Sequence, residues 1–293
     1  MKILNFGSLN LDYVYQVDHM VKAGETILSS DRKVFCGGKG LNQSIALARA
    51  GAEVYHAGLV GPEGGMLIDI LKEAGVDVNL VGQIDEATGH AMIQVDPSGQ
   101  NCILLYGGAN QKITASLVDE ILLPFGKGDV LVLQNEISSL SYIIEKAFEK
   151  GMQIVLNPSP WNETLNQIDW NAITLVLCNE IEGCEMTGET EPEKILEALK
   201  GKQVVLTLGA EGAWYQDAQG TRYFQEAFRV KAVDTTGAGD TFTGYFVDNW
   251  SKGEAAPVCL ERAAKAAAIS VSRPGAAVSI PNKEEVYGEG NQE

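Results

Sequence analysis

Four short apolar runs, Asp129–Gln134, Gln153–Asn157, Thr174–Cys178 and Gln203–Thr207, constrain this chain most, because each leads to a polar residue and helical spacing fills the intervals. A strand that is apolar at consecutive positions must be covered on both faces, and helices crossing between parallel neighbours supply that cover. The chain opens in the same way: a strand is expected at Lys2–Phe6, a helix over Asn42–Ala50, a strand at Glu53–Val60 and a helix over Met66–Ala74 that stops at Gly75. The fold class is therefore α/β, a three-layer sandwich around a mostly parallel central sheet. Ligands of such sheets collect beyond the carboxyl ends of the strands, where Gln134, Asn157, Asn179 and Thr207 all fall.

Two segments break the rhythm. Tyr13–Val17 with Glu25–Phe35, and Gly89–Asp96 with Gln100–Tyr106, alternate apolar and polar residues as half-buried strands do, and Pro97-Ser98-Gly99 is a hairpin signal. They predict a small antiparallel β-sheet, inserted at about 12–35 and 88–107, that serves as a lid or a dimer surface; the alternative is an edge extension of the main sheet. No repeat, low-complexity linker or compositional break divides the 293 residues, so one α/β domain over 1–293 is expected, with a disordered polar tail at 288–293. A hydrophobic content of 45% suffices for its core.

Charge narrows the partners. Lys plus Arg number 22 against 39 Asp plus Glu, a net charge of −17 with no basic stretch, which argues against nucleic acid and anionic membrane as partners. A small anionic ligand would need a local device, such as backbone N–H groups or a metal. The five cysteines, Cys36, Cys102, Cys178, Cys184 and Cys259, lack C-x-x-C spacing and suit reduced thiols of a cytoplasmic protein. No signal peptide is expected, and no run approaches the length of a membrane span. His19, His56 and His90 show no metal-ligand spacing and are assigned to surface or packing roles.

The local device is legible in Val233-Asp234-Thr235-Thr236-Gly237-Ala238-Gly239-Asp240, followed by the helically spaced Thr241–Val247. Free N–H groups of a first helical turn, with the macrodipole, favour phosphate, and glycines let its oxygens approach. A carboxylate there would repel phosphate unless Asp240 works as a general base on an attacking hydroxyl; the other reading is an ordinary N-capping Asp. The absence of G-x-x-x-x-G-K-[ST], and of G-x-G-x-x-G after the first strand, removes the P-loop and counts against a Rossmann site. A second Gly-rich run, Phe35-Cys36-Gly37-Gly38-Lys39-Gly40-Leu41-Asn42-Gln43, reads as a tight connection into a helix. With Asn10 and Asp12 it also reads as a polyol pocket.

Gly37-Gly38-Lys39-Gly40-x-Asn42-Gln43 and Asp234–Phe242 resemble the two signatures of the ribokinase-like, or pfkB, carbohydrate kinases. Between them Asn10-Leu11-Asp12, Gly107-Gly108-Ala109-Asn110, Gln134-Asn135-Glu136, Asn157-Pro158-Ser159-Pro160, Asn179-Glu180-Ile181-Glu182 and Thr207-Leu208-Gly209 stand in the family's order, so the resemblance spans the chain.

The resemblance implies an ATP-dependent kinase, with D-ribose phosphorylated at O5 as the first choice and fructose, deoxyribose, a nucleoside or a sugar acid as alternatives. A non-catalytic sensor would have lost the base or the glycines, and Asp240, Gly237 and Gly239 are all present. By the same resemblance Asp240 is the base and the N–H groups of Gly237, Ala238, Gly239 and Asp240 form the anion hole. Asn10, Asp12, Gly38, Lys39, Asn42 and Glu136 hold the sugar, with Asp240 completing the shell and Ile103, Leu105 and Ala109 as walls. Asn179 and Glu182, expected on one helical face, set Mg²⁺ and the phosphates, the other reading of Asn179 being a helix cap. Thr207, Gly209 and Gly212 bind ATP, flanked by a hairpin around Asp217–Gly220. Asp234, Thr236, Ser270, Arg273, Gly275 and Ser279 contribute to a K⁺ site. A homodimer joined through the lids is implied as well.

Overall fold

Every residue of Val130–Gln134 is buried, and its side chains divide by parity: Val130 and Val132 enter one core, Leu131 and Leu133 the other. That division is the two-residue period of a strand with helices on both faces. The computed structural model describes residues 1–288, so the disordered tail expected from Gly288 falls, from 289 onward, outside the described residues.

The strands are β1 (Ile3–Phe6), β2 (Asn10–Gln16), β3 (Asp31–Gly37), β4 (Val54–Val60), β5 (Asp77–Gln83), β6 (Gly89–Val95), β7 (Asn101–Tyr106), β8 (Val130–Gln134), β9 (Gln153–Asn157), β10 (Leu175–Asn179), β11 (Gln203–Thr207), β12 (Gly212–Gln216) and β13 (Arg222–Glu226). The helices are α1 (Lys39–Ala50), α2 (Gly65–Glu73), α3 (Ala115–Leu122), α4 (Leu140–Glu149), α5 (Glu180–Thr187), α6 (Pro192–Ala198), α7 (Ala238–Ser251), α8 (Ala256–Val271) and α9 (Lys283–Tyr287). Nine strands form the main sheet in the order β13-β12-β11-β10-β9-β8-β1-β4-β5. Neighbours from β11 to β5 run parallel, and the β12–β13 hairpin, expected around Asp217–Gly220, adds an antiparallel edge.

The order reverses at β1, which has β4 on one side and β8 on the other. A crevice therefore opens between the carboxyl ends of β1 and β8, the switch point where open α/β sheets bind ligands. Gln134, Asn157, Asn179 and Thr207 are the last residues of β8, β9, β10 and β11, as expected. Strand β5 was not legible: Asp77-Val78-Asn79-Leu80-Val81-Gly82-Gln83 lies at the sheet edge, buries no residue fully and carries only a broken apolar pattern.

The second sheet has four strands in the order β3-β2-β6-β7. It departs from the expected antiparallel sheet at its centre, where β2 and β6 pair in parallel from Asn10↔Gly89 to Gln16↔Val95. Both strands leave the same edge of the main sheet, β2 after β1 and β6 after β5, so they set out in one direction. The expected strand over Glu25–Phe35 is also shorter, because β2 ends at Gln16 and pairing resumes only at Asp31. Before it, Ser29 and Ser30 donate to the Gln16 carbonyl and Glu25 closes a turn onto Lys22.

Helices α1 and α7 bring the two Gly-rich runs together. A side chain at Gly244 would collide with Ala46, its Cβ standing 2.3 Å from the Ala46 Cβ, so the glycine lets the helices approach closely. No helix among the described residues is long and apolar enough to cross a membrane.

Candidate active site

Helix α7 starts at Ala238 after Gly237, which caps it in the left-handed region at φ 74°. Among the described residues the N–H groups of Gly237, Gly239 and Asp240 have no protein acceptor, whereas Ala238 donates to the Thr235 carbonyl at 3.3 Å. The expected anion hole is therefore three N–H groups, with Ala238 turned to closing the loop. These groups and Lys39, Asn157, Ser159, Asn179, Glu182 and Thr207 surround a cavity of about 220 Å³.

Asp240 is 8% exposed at this cavity. Its Oδ2 accepts from Asn42 Nδ2 at 3.0 Å and its Oδ1 from Gln43 Nε2 at 2.9 Å. Consecutive residues of α1 thus clamp the two carboxylate oxygens, and the N-capping reading fails because Asp240 lies inside the first turn. Asn42 Oδ1 is buried with no hydrogen-bond partner among the described residues. The clamping role of Gln43 was missed, although it stands beside Asn42 in the Gly-rich signature.

Lys39 was expected on the sugar. Its side chain instead lines the anion-hole cavity, as the one cation among the described lining residues, while its backbone N–H donates to Glu136 Oε2 at 3.0 Å. Burial pulls the Lys39 ammonium down, but Asp240, Glu136 and Glu182 outweigh it and hold its pKa above the usual lysine value. Asn179 and Glu182 both line the cavity, yet not from one helical face: Asn179 is the N-cap of α5 and Glu182 its third residue. They form a reciprocal capping box, Glu182 N–H to Asn179 Oδ1 at 3.0 Å and Asn179 N–H to Glu182 Oε2 at 2.9 Å. Thr207 lines the cavity, but Gly209 and Gly212 do not. An added Cβ at Gly212 would stand 2.1 Å from the Gln225 carbonyl oxygen, so this glycine serves the close approach of β13.

A second cavity of about 240 Å³ lies at the switch point, lined by Asn10, Leu105, Gly107, Asn110, Gln111, Asn135 and Glu136 among others. Asn10 Oδ1 accepts from Asn110 Nδ2 at 2.8 Å, and Ser8 Oγ donates to Glu136 Oε2. Burial raises the Glu136 pKa above the carboxylate range against the pull of Lys39 and Ser8. Asp12, on β2, is pushed up to about 6 by burial and then by the field of Glu136. Asp12, Gly38 and Asn42 do not line this cavity itself; Asn42 belongs to the wall shared with Asp240, and Gly38 packs against Ser8 and Asn10. Of the expected walls only Leu105 lines it: Ala109 is buried in the core and Ile103 is 57% exposed.

The loop assigned to K⁺ gathers on one side of the α7 N-terminus. Asp234 Oδ1 accepts from the N–H and hydroxyl of Thr236, and its Oδ2 accepts from the Gly275 N–H at 2.9 Å. Ser270 and Ser279 share a buried hydrogen bond of 2.8 Å, and Thr241 reaches Ser270. The Arg273 side chain pairs with Glu285 instead.

A family model described as pfkB family carbohydrate kinase matches residues 1–283. The ribokinase of Haemophilus influenzae is 34% identical over 294 residues, covering 95% of each chain. The structure of ribokinase from Cryptococcus neoformans var. grubii in complex with ADP superposes with a TM-score of 0.87 at 30% identity, covering 98% of both chains. The structure of Arabidopsis thaliana ribokinase complexed with ribose and ATP superposes with a TM-score of 0.83 at 30% identity, over 98% of this chain and 97% of that one.

Proposed function

Because this chain belongs to the pfkB family of carbohydrate kinases, we propose that it is an ATP-dependent kinase that phosphorylates D-ribose at O5, giving ribose 5-phosphate. The observation that carries the reading is one helical turn holding both the clamped Asp240 carboxylate and unpartnered N–H groups. The carboxylate takes the proton of the attacking primary hydroxyl, and beside it the N–H groups of Gly237, Gly239 and Asp240 stabilise charge on the transferred phosphoryl group. The sugar occupies the switch-point cavity with Asn10 and Glu136, under Leu105 of the lid, and reaches Asp240 past Asn42. ATP lies along the ends of β9, β10 and β11, its γ-phosphate toward Lys39, whose charge complements it.

Two ions belong to the reading. No group of three His, Cys, Asp or Glu among the described residues could hold a metal unaided, which suits Mg²⁺ bound mainly by phosphate and water, with Glu182 and Asn179 beside it. When bound, Mg²⁺ would neutralise phosphate charge. Asp234, the Ser270–Ser279 pair and the carbonyls of the Arg273–Gly275 segment supply hard oxygen donors suited to K⁺, which would order the loop leading to Gly237.

The remaining expectations extend the proposal: one domain over 1–293, a homodimer joined through the exposed apolar lid strand β7, and a cytoplasmic protein, in keeping with five free cysteines. A coupled ATP-consumption assay over D-ribose, 2-deoxyribose, fructose, adenosine and 2-keto-3-deoxygluconate, with Mg²⁺ and with or without K⁺, tests the activity. Preference for ribose with K⁺ stimulation is expected. Preference for another sugar would overturn the substrate, and no turnover on any would overturn the kinase.

A further inference from the structure

Strand β1 reads Ile3-Leu4-Asn5-Phe6, and Asn5 interrupts an otherwise apolar, fully buried run. It is in register with His56 on β4 and lies one strand from Gln134 on β8, beneath Ser44 and Gln43 of α1. Asn5, Gln43, Ser44 and His56 are 0% exposed and Gln134 is 1% exposed. Apolar side chains would fill this space at lower desolvation cost, so five buried polar groups call for a purpose beyond packing.

We propose that the buried triad Asn5, Ser44 and His56 anchors the Asp240 carboxylate in its working orientation, acting through Gln134 and Gln43 as positioning residues that never touch substrate. The inference rests on the reading of Asp240 as the base. The connection is continuous, and its donors point outward from Gln134, toward Asp240 through Gln43 and toward His56 through Asn5. Gln43 Nε2 donates to Asp240 Oδ1 at 2.9 Å and to Asn157 Oδ1 at 3.2 Å. Gln134 Nε2 donates to Gln43 Oε1 at 2.7 Å and to Asn5 Oδ1 at 2.9 Å. Asn5 Nδ2 donates to the Gly40 carbonyl at 2.7 Å and to Ser44 Oγ at 2.8 Å. Ser44 Oγ lies 2.7 Å from His56 Nδ1, and in the tautomer that the proposal requires the hydroxyl gives its proton to that nitrogen, leaving His56 Nε2–H buried without a partner among the described residues.

All three amide nitrogens therefore have both hydrogens engaged, and in that tautomer the chain ends on a ring nitrogen that accepts. Burial keeps His56 neutral, with its pKa pulled down to about 3. The consequence is directional. If Asn5 turned over, its NH₂ would face the NH₂ of Gln134, Gln134 would have to follow, and Gln43 would then present its carbonyl oxygen to the Asp240 carboxylate. The neutral imidazole and the Gly40 carbonyl hold Asn5 against that reversal, so a histidine remote from both cavities biases which atom faces the base.

The test is steady-state kinetics against pH, with thermal melting, on His56→Phe and on Ser44→Ala/His56→Phe, whose apolar pair leaves no orphaned hydroxyl and keeps the fold if the single variant loses it. Expected is a fall in kcat of about tenfold, the scale of a small misplacement of a reacting group. KM for ribose and for ATP should stay within about twofold, and the acidic limb of kcat should move as the anchor is lost. The charged groups that face Asp240, Lys39 from α1 and Glu136 after β8, with Glu182 acting on Lys39 from α5, are unchanged in these variants. His56→Gln, which can accept from Ser44, should recover most of the rate. Native kcat and an unmoved acidic limb, with only a lowered melting temperature, would overturn the inference. Asp240→Asn measured alongside separates the two readings: if it still turns over, the assignment of the base fails, and if it is dead while the triad variants are silent, only the anchor fails.

Discussion

Strand β8 is buried at every residue and β7 is exposed at every residue, although both are built from leucine, isoleucine and valine-like runs of similar length. On the main sheet α1, α7 and α8 cover one face and α3, α4 and α6 the other. On the lid Ile103, Leu104, Leu105 and Tyr106 of β7, with Phe35 and Met92 nearby on β3 and β6, keep between 43% and 67% of their surface open. A sheet covered on both faces can fix reacting groups to fractions of an ångström, whereas a sheet with an edge strand open on both faces can move or dock. The division assigns chemistry to the carboxyl edge of the main sheet and closure, with assembly, to the lid.

The sharpest way to break that division is to compare one residue from each side. Asp240→Asn is expected to lower kcat by about 10²–10⁴-fold, the usual contribution of a general base, while calorimetry finds ribose affinity within a few-fold of native. Leu105→Ala, in the lid, should instead raise the KM for sugar a few-fold at near-native kcat. A lid variant that cut kcat as deeply as Asp240→Asn would show that the lid takes part in the chemical step. Stability sharpens the same contrast. Leu133→Ala in β8 should cost about 2–5 kcal/mol in denaturant unfolding, because its cavity is enclosed on all sides. Leu104→Ala in β7 should change the isolated protomer by less than about 0.5 kcal/mol, and sedimentation should find dimerisation weakened. Dimers unaffected by Leu104→Lys would remove the lid as the interface.

The contrast also sets what could be read from the sequence. Strands β1, β4 and β8 to β11 were legible because burial on both faces forces mostly apolar runs, and the polar last residues of β8 to β11 marked the ligand edge. Strand β5, half-buried at the edge, left no such run. The lid strands were visible through alternation, but alternation says nothing of pairing direction, so the parallel β2–β6 contact was lost. In the site, Asp240, Asn42 and Glu136 stood in Gly-rich or ordered motifs. What could not be read were destinations within those motifs: Lys39 reaching the anion-hole cavity and the Ala238 N–H closing its own turn, whereas the cap at Asn179 was one of the two readings the sequence offered. The His56 anchor was invisible because its partners come from β1, α1 and β4 and meet only in the fold.

The remaining effect belongs to Asp12, a half-buried carboxylate of the lid. Its folded pKa of about 6 lies above the ordinary 3.8, owing first to burial and then to Glu136. Between those two values the folded state holds more protons than the unfolded chain, so stability falls as pH rises through this window and stays lower above it. Asp12→Asn should abolish that fall, which melting temperatures on either side of the window would reveal. Sugar hydroxyls donating to Asp12 would favour its charged form and draw the pKa back down. Ribose binding near pH 6 should then release a fraction of a proton, measurable by calorimetry in two buffers of different ionisation enthalpy, and affinity should weaken by about three- to tenfold on acidification below that point. Binding without proton release, and with an affinity indifferent to pH, would mean that this carboxylate never meets the sugar, leaving recognition to Asn10 at the base of the lid and to Asn42 and Glu136 beside the main sheet.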